Sequence, residues 1–197
     1  SEDQSVVVTL SGSDIDGDNL TFSLASDATN GSVTLDGSFA TYTPSANYNG
    51  ADSFSFSVSD GELSDTAEVT LSISAVNDAP VLAAVSDVSF DEDGSGSTSL
   101  SGSDIDGDSL EFSISGGSDI TASLDGSNVT FSAPANYNGS ETFSVSVSDG
   151  EYADSQSITV TVNALNDAPV ATTGLSGATS EDQSVVVTLS GSDIDGD

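Results

Sequence analysis

The sequence predicts an all-β chain, a tandem array of Greek-key antiparallel β-sandwich modules with essentially no helix. Three observations predict it. Asn77-Asp78-Ala79-Pro80-Val81 returns letter for letter at Asn166-Asp167-Ala168-Pro169-Val170, 89 residues later. Two further signatures keep that period, Asn47-Tyr48-Asn49-Gly50 at Asn136 to Gly139 and Ser59-Asp60-Gly61-Glu62 at Ser148 to Glu151. Between them, apolar residues alternate with Ser and Thr in short runs bounded by Gly, Asn and Asp, and no apolar period of 3.6 runs for ten residues.

In the first module, Val6 to Leu10 reads as a β-branched strand ended by Ser11-Gly12-Ser13, and Asp14 to Asp18 as a loop. Leu20, Phe22 and Leu24 alternate as one face of a half-buried strand. Asn30-Gly31 turns the chain into a short strand from Val33 to Leu35, and Asp36-Gly37 turns it again into Phe39 to Thr43. Phe54, Phe56 and Val58 are expected to face the core, as are Ala67, Val69, Leu71 and Ile73 of a last strand from Thr66 to Ala75. The second module is expected to open with one strand from Val81 to Phe90. Strands from Leu110 to Ile114, Asn128 to Ser132, Phe143 to Val147 and Ser157 to Val162 follow. Tyr48 and Tyr137 read as corner anchors of the sandwich.

The repeat divides the chain at 1–76, 77–165 and 166–197, the first module without its opening strand and the third represented by its first strands. Glu2 to Asp18 is identical to Glu181 to Asp197, so the sequence reads as a window on a longer array, in which a missing leader says nothing about export.

Composition narrows the partners. The chain has 33 acidic residues, no Lys, Arg or His, and a formal net charge of -33. No basic side chain can meet a phosphate, which excludes nucleic acid, and an anionic membrane surface repels the chain. No apolar run is long enough to span a bilayer. Self-repulsion on this scale opposes compaction, and metal cations are what such a chain recruits. A hydrophobic content of 35% with 8 Phe and 4 Tyr argues for folding. Without cysteine or lysine there is neither disulfide nor isopeptide crosslink to brace a small domain, which makes bound metal a second source of stability.

Acidic clusters recur in fixed order: Glu2-Asp3 before a strand, Asp14-x-Asp16-Gly17-Asp18 after it, Asp60-Gly61 after the Phe strand, and Asn77-Asp78 in the linker. Every candidate ligand atom is oxygen, as Ca2+ coordination requires. In this order the clusters resemble the cadherin repeat. The Asn-Tyr-Asn-Gly and Ser-Asp-Gly-Glu signatures are similar, more narrowly, to bacterial cadherin-like (Ig-like) tandem repeats of large surface adhesins and extracellular fibres. The resemblance implies Ca2+ at each module border. One junction takes Glu2, Asn77, Asp78, Asp104, Asp106 and Asp149, and the next takes Glu92, Asn166, Asp167, Asp193 and Asp195. Asp14, Asp16 and Asp60 would serve a junction before the first module. Asp3, Asp93, Asp18 and Asp108 are auxiliary candidates.

Bland readings stand beside these. Asp and Gly are ordinary turn residues, and acidic residues before a strand protect its edge. An EF-hand is rejected, since its loop needs Gly at position six and Glu at twelve, where counting from Asp14 finds Asn19 and Ala25. Catalysis has no His, Cys or Lys to use, so only carboxylate pairs are left, and identical carboxylates at every border do not make one active site. The expectation is a non-enzymatic structural spacer of an extracellular, cell-surface adhesin or fibre, stiffened end to end by Ca2+. Its partners are calcium ions, neighbouring modules and other copies in a fibre. The alternative is a module that binds polysaccharide or mediates homophilic cell adhesion.

Overall fold

The computed structural model describes residues 1 to 195; Gly196 and Asp197, which belong to the expected start of a third module, lie outside the described residues. The chain forms two compact units, Ser1–Asp78 and Ala79–Asp197, each with its own apolar core. It is an all-β protein with no helix among the described residues.

The first unit contains β1 (Val6–Thr9), β2 (Thr21–Ser26), β3 (Gly31–Asp36), β4 (Phe39–Pro44), β5 (Gly50–Ser59) and β6 (Ser64–Ile73). They form two three-stranded sheets, β1-β4-β3 and β2-β5-β6, with antiparallel pairing throughout. Alternation in β5 sends Phe54 and Phe56 into a core shared with Leu10, Val33, Ala40, Tyr42 and Ile73. Val58, expected inside, is only half-buried, and Ala67 is exposed. Both lie toward the Ser59–Ser64 end of the β5–β6 hairpin, where burial along β6 fades with distance from Ile73, so this end of the hairpin runs past the core. The Tyr48 hydroxyl donates to the Ala51 carbonyl at 2.7 Å, a local corner contact in keeping with the anchoring role expected of it.

A carboxylate lies inside this sandwich. Asp52, on the inward face of β5 and 9% exposed, accepts hydrogen bonds from the N–H groups of Thr29 (3.1 Å), Asn30 (2.9 Å) and Ser53 (2.9 Å) and from the Tyr42 hydroxyl (3.0 Å). Burial pushes its pKa up, but the hydrogen bonds from Asn30, Ser53, Tyr42 and Thr29 outweigh that and hold it below the usual Asp value. The Tyr42 hydroxyl is pushed up to about 12, by burial and by its bond to Asp52. Glu141, 89 residues on, does the same work in the second unit by accepting from Ser118, Asp119 and Ile120 N–H at 2.8, 3.0 and 3.1 Å.

The second unit adds β7 (Val81–Leu82), β8 (Val88–Asp91), β9 (Ser95–Ser99), β10 (Gly102–Ser103), β11 (Glu111–Gly116), β12 (Thr121–Asp125), β13 (Asn128–Ser132), β14 (Gly139–Ser148), β15 (Ala153–Asn163), β16 (Val170–Ala171) and β17 (Gly191–Ser192). It holds a four-stranded sheet, β11-β14-β15-β8, a three-stranded one, β12-β13-β9, and two separate short pairs, β7–β10 and β16–β17. Phe131 and Phe143 meet edge-on in the core, with centroids 5.2 Å apart.

Two expectations need correction here. The single strand from Val81 to Phe90 is instead β7 and β8, which pair in different sheets. Between them, side chains of β15 replace the backbone ladder: Gln156 both accepts from Val85 N–H (3.1 Å) and donates to its carbonyl (2.9 Å), and Asp154 accepts from Leu82 N–H at 2.9 Å. Asp87, just before β8, accepts from Thr159 N–H at 2.7 Å. Having switched sheets, β8 runs parallel to β15, so the pairing is not antiparallel throughout.

Gly117, in the turn after β11, has φ +76, and an added Cβ would press on the Ile120 carbonyl and lie 2.5 Å from the Phe143 ring. Gly117→Ala is therefore expected to destabilise the second unit by about 2 kcal/mol, through backbone strain and overpacking together. A urea denaturation curve reads this as a lowered midpoint.

Candidate metal centre

The Asp-x-Asp-Gly-Asp loops at Asp14 and Asp104 curl around their first carboxylate. Asp14 Oδ1 accepts from the N–H groups of Asp16 (2.8 Å), Gly17 (2.9 Å) and Asp18 (3.2 Å). Asp104 Oδ1 repeats this with Asp106 (2.9 Å), Gly107 (3.1 Å) and Asp108 (3.4 Å), and Asp193 Oδ1 accepts from Asp195 N–H at 2.9 Å. The curl needs a left-handed residue, which Gly17 (φ 85) and Gly107 (φ 81) supply. It brings oxygens of Asp104, Asp106 and Asp108 within 4.8 Å of one another. Ligands of one Ca2+, bound at 2.3–2.6 Å, lie at most about 5 Å apart, so the triad fits a single ion.

The Ser-Asp-Gly-Glu turn follows the same logic. Asp60 Oδ1 accepts from Glu62 and Leu63 N–H, both at 2.7 Å, and these bonds, Leu63 first, hold its carboxyl below the usual range. Asp149 Oδ1 accepts from Glu151 and Tyr152 N–H, both at 2.6 Å. Asp14 and Asp60 line one cleft of about 240 Å³ together with Asp65; Asp16 and Asp18 are exposed on the loop beside it.

Glu2 and Glu92 are not edge-protecting surface acids. They are 2% and 4% exposed. Glu2 N–H donates to the Ser74 carbonyl at 2.9 Å, and its Oε1 accepts from Val76 N–H at 2.5 Å. Glu92 repeats both bonds, with the Asn163 carbonyl at 2.9 Å and Leu165 N–H at 2.5 Å. Each glutamate thus clamps the end of its module's last strand, Glu2 just ahead of the linker residues Asn77 and Asp78. Asp3 and Asp93, with φ of 56 and 61, use Oδ1 to accept the N–H of Asn47 and of Asn136, each at 3.1 Å. They hold the Asn-Tyr-Asn-Gly loops.

Within the second unit the linker gathers the acids. Asp167 N–H donates to Asp195 Oδ2 at 2.6 Å, and Asn166 Nδ2 to the Asp167 carbonyl at 2.8 Å. The Asp167 carboxyl is pushed above its usual range, first by burial and then by the negative charges of Asp195, Asp93, Glu92 and Asp193. Five carboxylates therefore converge at this one place. Of the remaining expected ligands, Glu2, Asn77 and Asp78 lie in the first unit, and Asp104, Asp106 and Asp149 in the second.

The donor set passes a physical test of fit. Glu2 Oε2, Glu92 Oε2, Asp104 Oδ2 and Asp167 Oδ2 are buried without a hydrogen-bond partner among the described residues, and Asp78 Oδ2 is buried as well. A carboxylate oxygen sealed from water without a donor is unfavourable by several kcal/mol in general. No Lys, Arg or His exists in the chain to relieve it. A hard divalent cation with oxygen coordination matches these sites in charge and in ligand type.

Residues that sequence reasoning missed are Asp52 and Glu141, whose carboxylates brace the sandwich, and Asp65, which shares the cleft of Asp14. Asp52 carried a readable signal, since it stands in the inward register of the Phe54-Phe56 strand.

The fold and these clusters define a class, tandem Ig-like β-sandwiches with acidic borders. The chain belongs to the bacterial Ig domain family, whose profile matches residues 1–72 and 77–163. No curated protein matches. Among solved structures it is similar to human protocadherin-24 EC1-2, at 16% identity over 80% of this chain and 88% of that one, with a TM-score of 0.52. It also matches an endo-fucoidan hydrolase of glycoside hydrolase family 107 (24% identity, TM-score 0.36, 83% of this chain and 27% of that one). A third match is surface layer protein SbsC, domains 1–6 (20%, TM-score 0.41, 78% and 21%). The chain spans about a quarter of the length of the endo-fucoidan hydrolases it matches. Bacterial Ig domains are usually extracellular and the fold is typically non-catalytic. Among the described residues no helix is long and apolar enough to cross a membrane.

Proposed function

We propose that these are spacer modules of an extracellular adhesin or fibre, in which Ca2+ at each module border converts a short linker into a rigid joint. The observation that carries the reading is the set of orphaned carboxylate oxygens, Glu92 Oε2 and Asp167 Oδ2 above all, beside Asp193 and Asp195. At that border Glu92 belongs to the module before the linker, and Asp193 and Asp195 to the segment after it. One ion shared between them ties the two together, and charge neutralisation favours the joined arrangement over the separated one.

When bound, Ca2+ would supply positive charge, and the carboxylate oxygens of the chain would coordinate it. The chain's own residues do the positioning. Leu165 N–H holds Glu92 through Oε1, the curl at Asp193 fixes its Oδ1, and Asp167 N–H fixes Asp195. Asp104, Asp106 and Asp108 provide an equivalent loop in the second unit, with Asp149 a further candidate ligand there, and Glu2, Asn77, Asp78, Asp14, Asp16 and Asp60 are the candidate ligands of the first unit.

Small-angle X-ray scattering of the 197-residue chain in millimolar CaCl2, and then in excess EDTA, tests the joint. The expected result is a longer, stiffer particle in calcium that becomes flexible on chelation. A profile that does not respond to calcium would leave the clusters as solvated turns.

A further inference from the structure

The Asp-Ile-Asp-Gly-Asp sequence stands at Asp14 to Asp18, at Asp104 to Asp108 and again from Asp193, so its isoleucine is seen three times. Ile15 is 98% exposed, an unfavourable state for an isoleucine, whereas Ile105 is 66% and Ile194 64% exposed. The difference lies in what surrounds Ile194. It lines a cleft of about 370 Å³ with Asn138 and Leu165, and a second of about 480 Å³ with Asp167 and Val170. Asn136 and Ile194 are the residues common to both linings, so this pair forms the partition between the two clefts. Asn136 is itself fixed, with φ 56 and its N–H on Asp93 Oδ1 at 3.1 Å, and Tyr137 N–H bonds the Pro134 carbonyl at 3.2 Å.

We propose that the Asn136-Tyr137-Asn138-Gly139 loop is the receptor for the isoleucine of the Asp-Ile-Asp loop that follows it in the array. The partner is thus a second module of this same chain, recognised by a single apolar side chain seated against a rigid loop. Ile194 is a positioning residue. Set between Asp193 and Asp195, it fixes where their carboxylates arrive, and the bond from Asp167 N–H to Asp195 Oδ2 at 2.6 Å reports that arrival. The contact needs no cation, and it deepens the calcium reading by giving the border an orientation before metal binds.

Amide hydrogen exchange of the 197-residue chain, recorded in EDTA, tests it. In Ile194→Ser the Asp167 amide is expected to exchange at least about fivefold faster than in wild type. The core amides of Val145 and Val147 stay unchanged, and Ile194→Val restores protection. Ile15→Ser, in the identical loop sequence, leaves Asp167 unchanged. Wild-type exchange at Asp167 in Ile194→Ser, or an equal rise in Ile15→Ser, overturns the proposal. Because no calcium is present, this result is read separately from any failure of the calcium reading.

Discussion

Glu92→Gln is expected to change sign with calcium. In saturating Ca2+ the wild-type chain gains the free energy of ion binding, about 2.7 kcal/mol when the free ion stands at a hundred times its dissociation constant. That corresponds to a thermal midpoint higher by on the order of 10 °C. Glu92→Gln keeps the acceptor for Leu165 N–H but loses the charge of its buried Oε2, so most of the calcium gain should vanish. In EDTA the order reverses. There the wild-type border holds Glu92, Asp93, Asp167, Asp193 and Asp195 together without a counterion, and the Asp167 carboxyl is pushed up first by its burial and then by these neighbouring charges. Removing one charge relieves this repulsion, and Glu92→Gln should melt at or above the wild-type temperature. Differential scanning calorimetry in both buffers checks the crossing; a variant less stable than wild type by the same margin in both would assign Glu92 a packing role only.

Asp52→Ala is expected to destabilise the first unit by about 3 kcal/mol, because it strands Thr29, Asn30 and Ser53 N–H groups and the Tyr42 hydroxyl at once. The pH dependence follows from the lowered folded pKa. The unfolded carboxyl titrates near 3.8 and the folded one below it, so the contribution is complete above about pH 4 and is lost as pH falls through the folded value. Asp52→Asn, which has no charge to lose, should show a flatter decline in urea midpoint below pH 4 than wild type. Equal slopes would mean that the charge is immaterial. Glu141, also held below its usual value by the N–H groups of Asp119 and Ser118, should behave alike in the second unit.

Much of this fold was legible because the repeat and the period-two alternation report burial directly. Phe54-Ser55-Phe56 and Phe143-Ser144-Val145 point where their patterns say. Strand β9 was not legible, since Gly96 to Ser99 carries no apolar face, and neither was the break between β7 and β8. That break depends on side-chain bonds from Asp154 and Gln156, some 70 residues away in sequence. The candidate ligands were legible as types and order, from a chain holding only oxygen donors. What the sequence could not say is which oxygen of each carboxylate is already engaged. Asp93 looks like Glu92 on paper, yet it clamps Asn136 with one oxygen, whereas Glu92 keeps one oxygen buried and unmatched.

Calorimetric titration of CaCl2 into the chelator-treated 197-residue chain tests the central claim most directly. Saturable binding that is weakened at least about tenfold by Glu92→Gln and by Asp167→Asn, a change of about 1.4 kcal/mol, is the predicted result. Heats that do not saturate, or that match wild type in both variants, would contradict it.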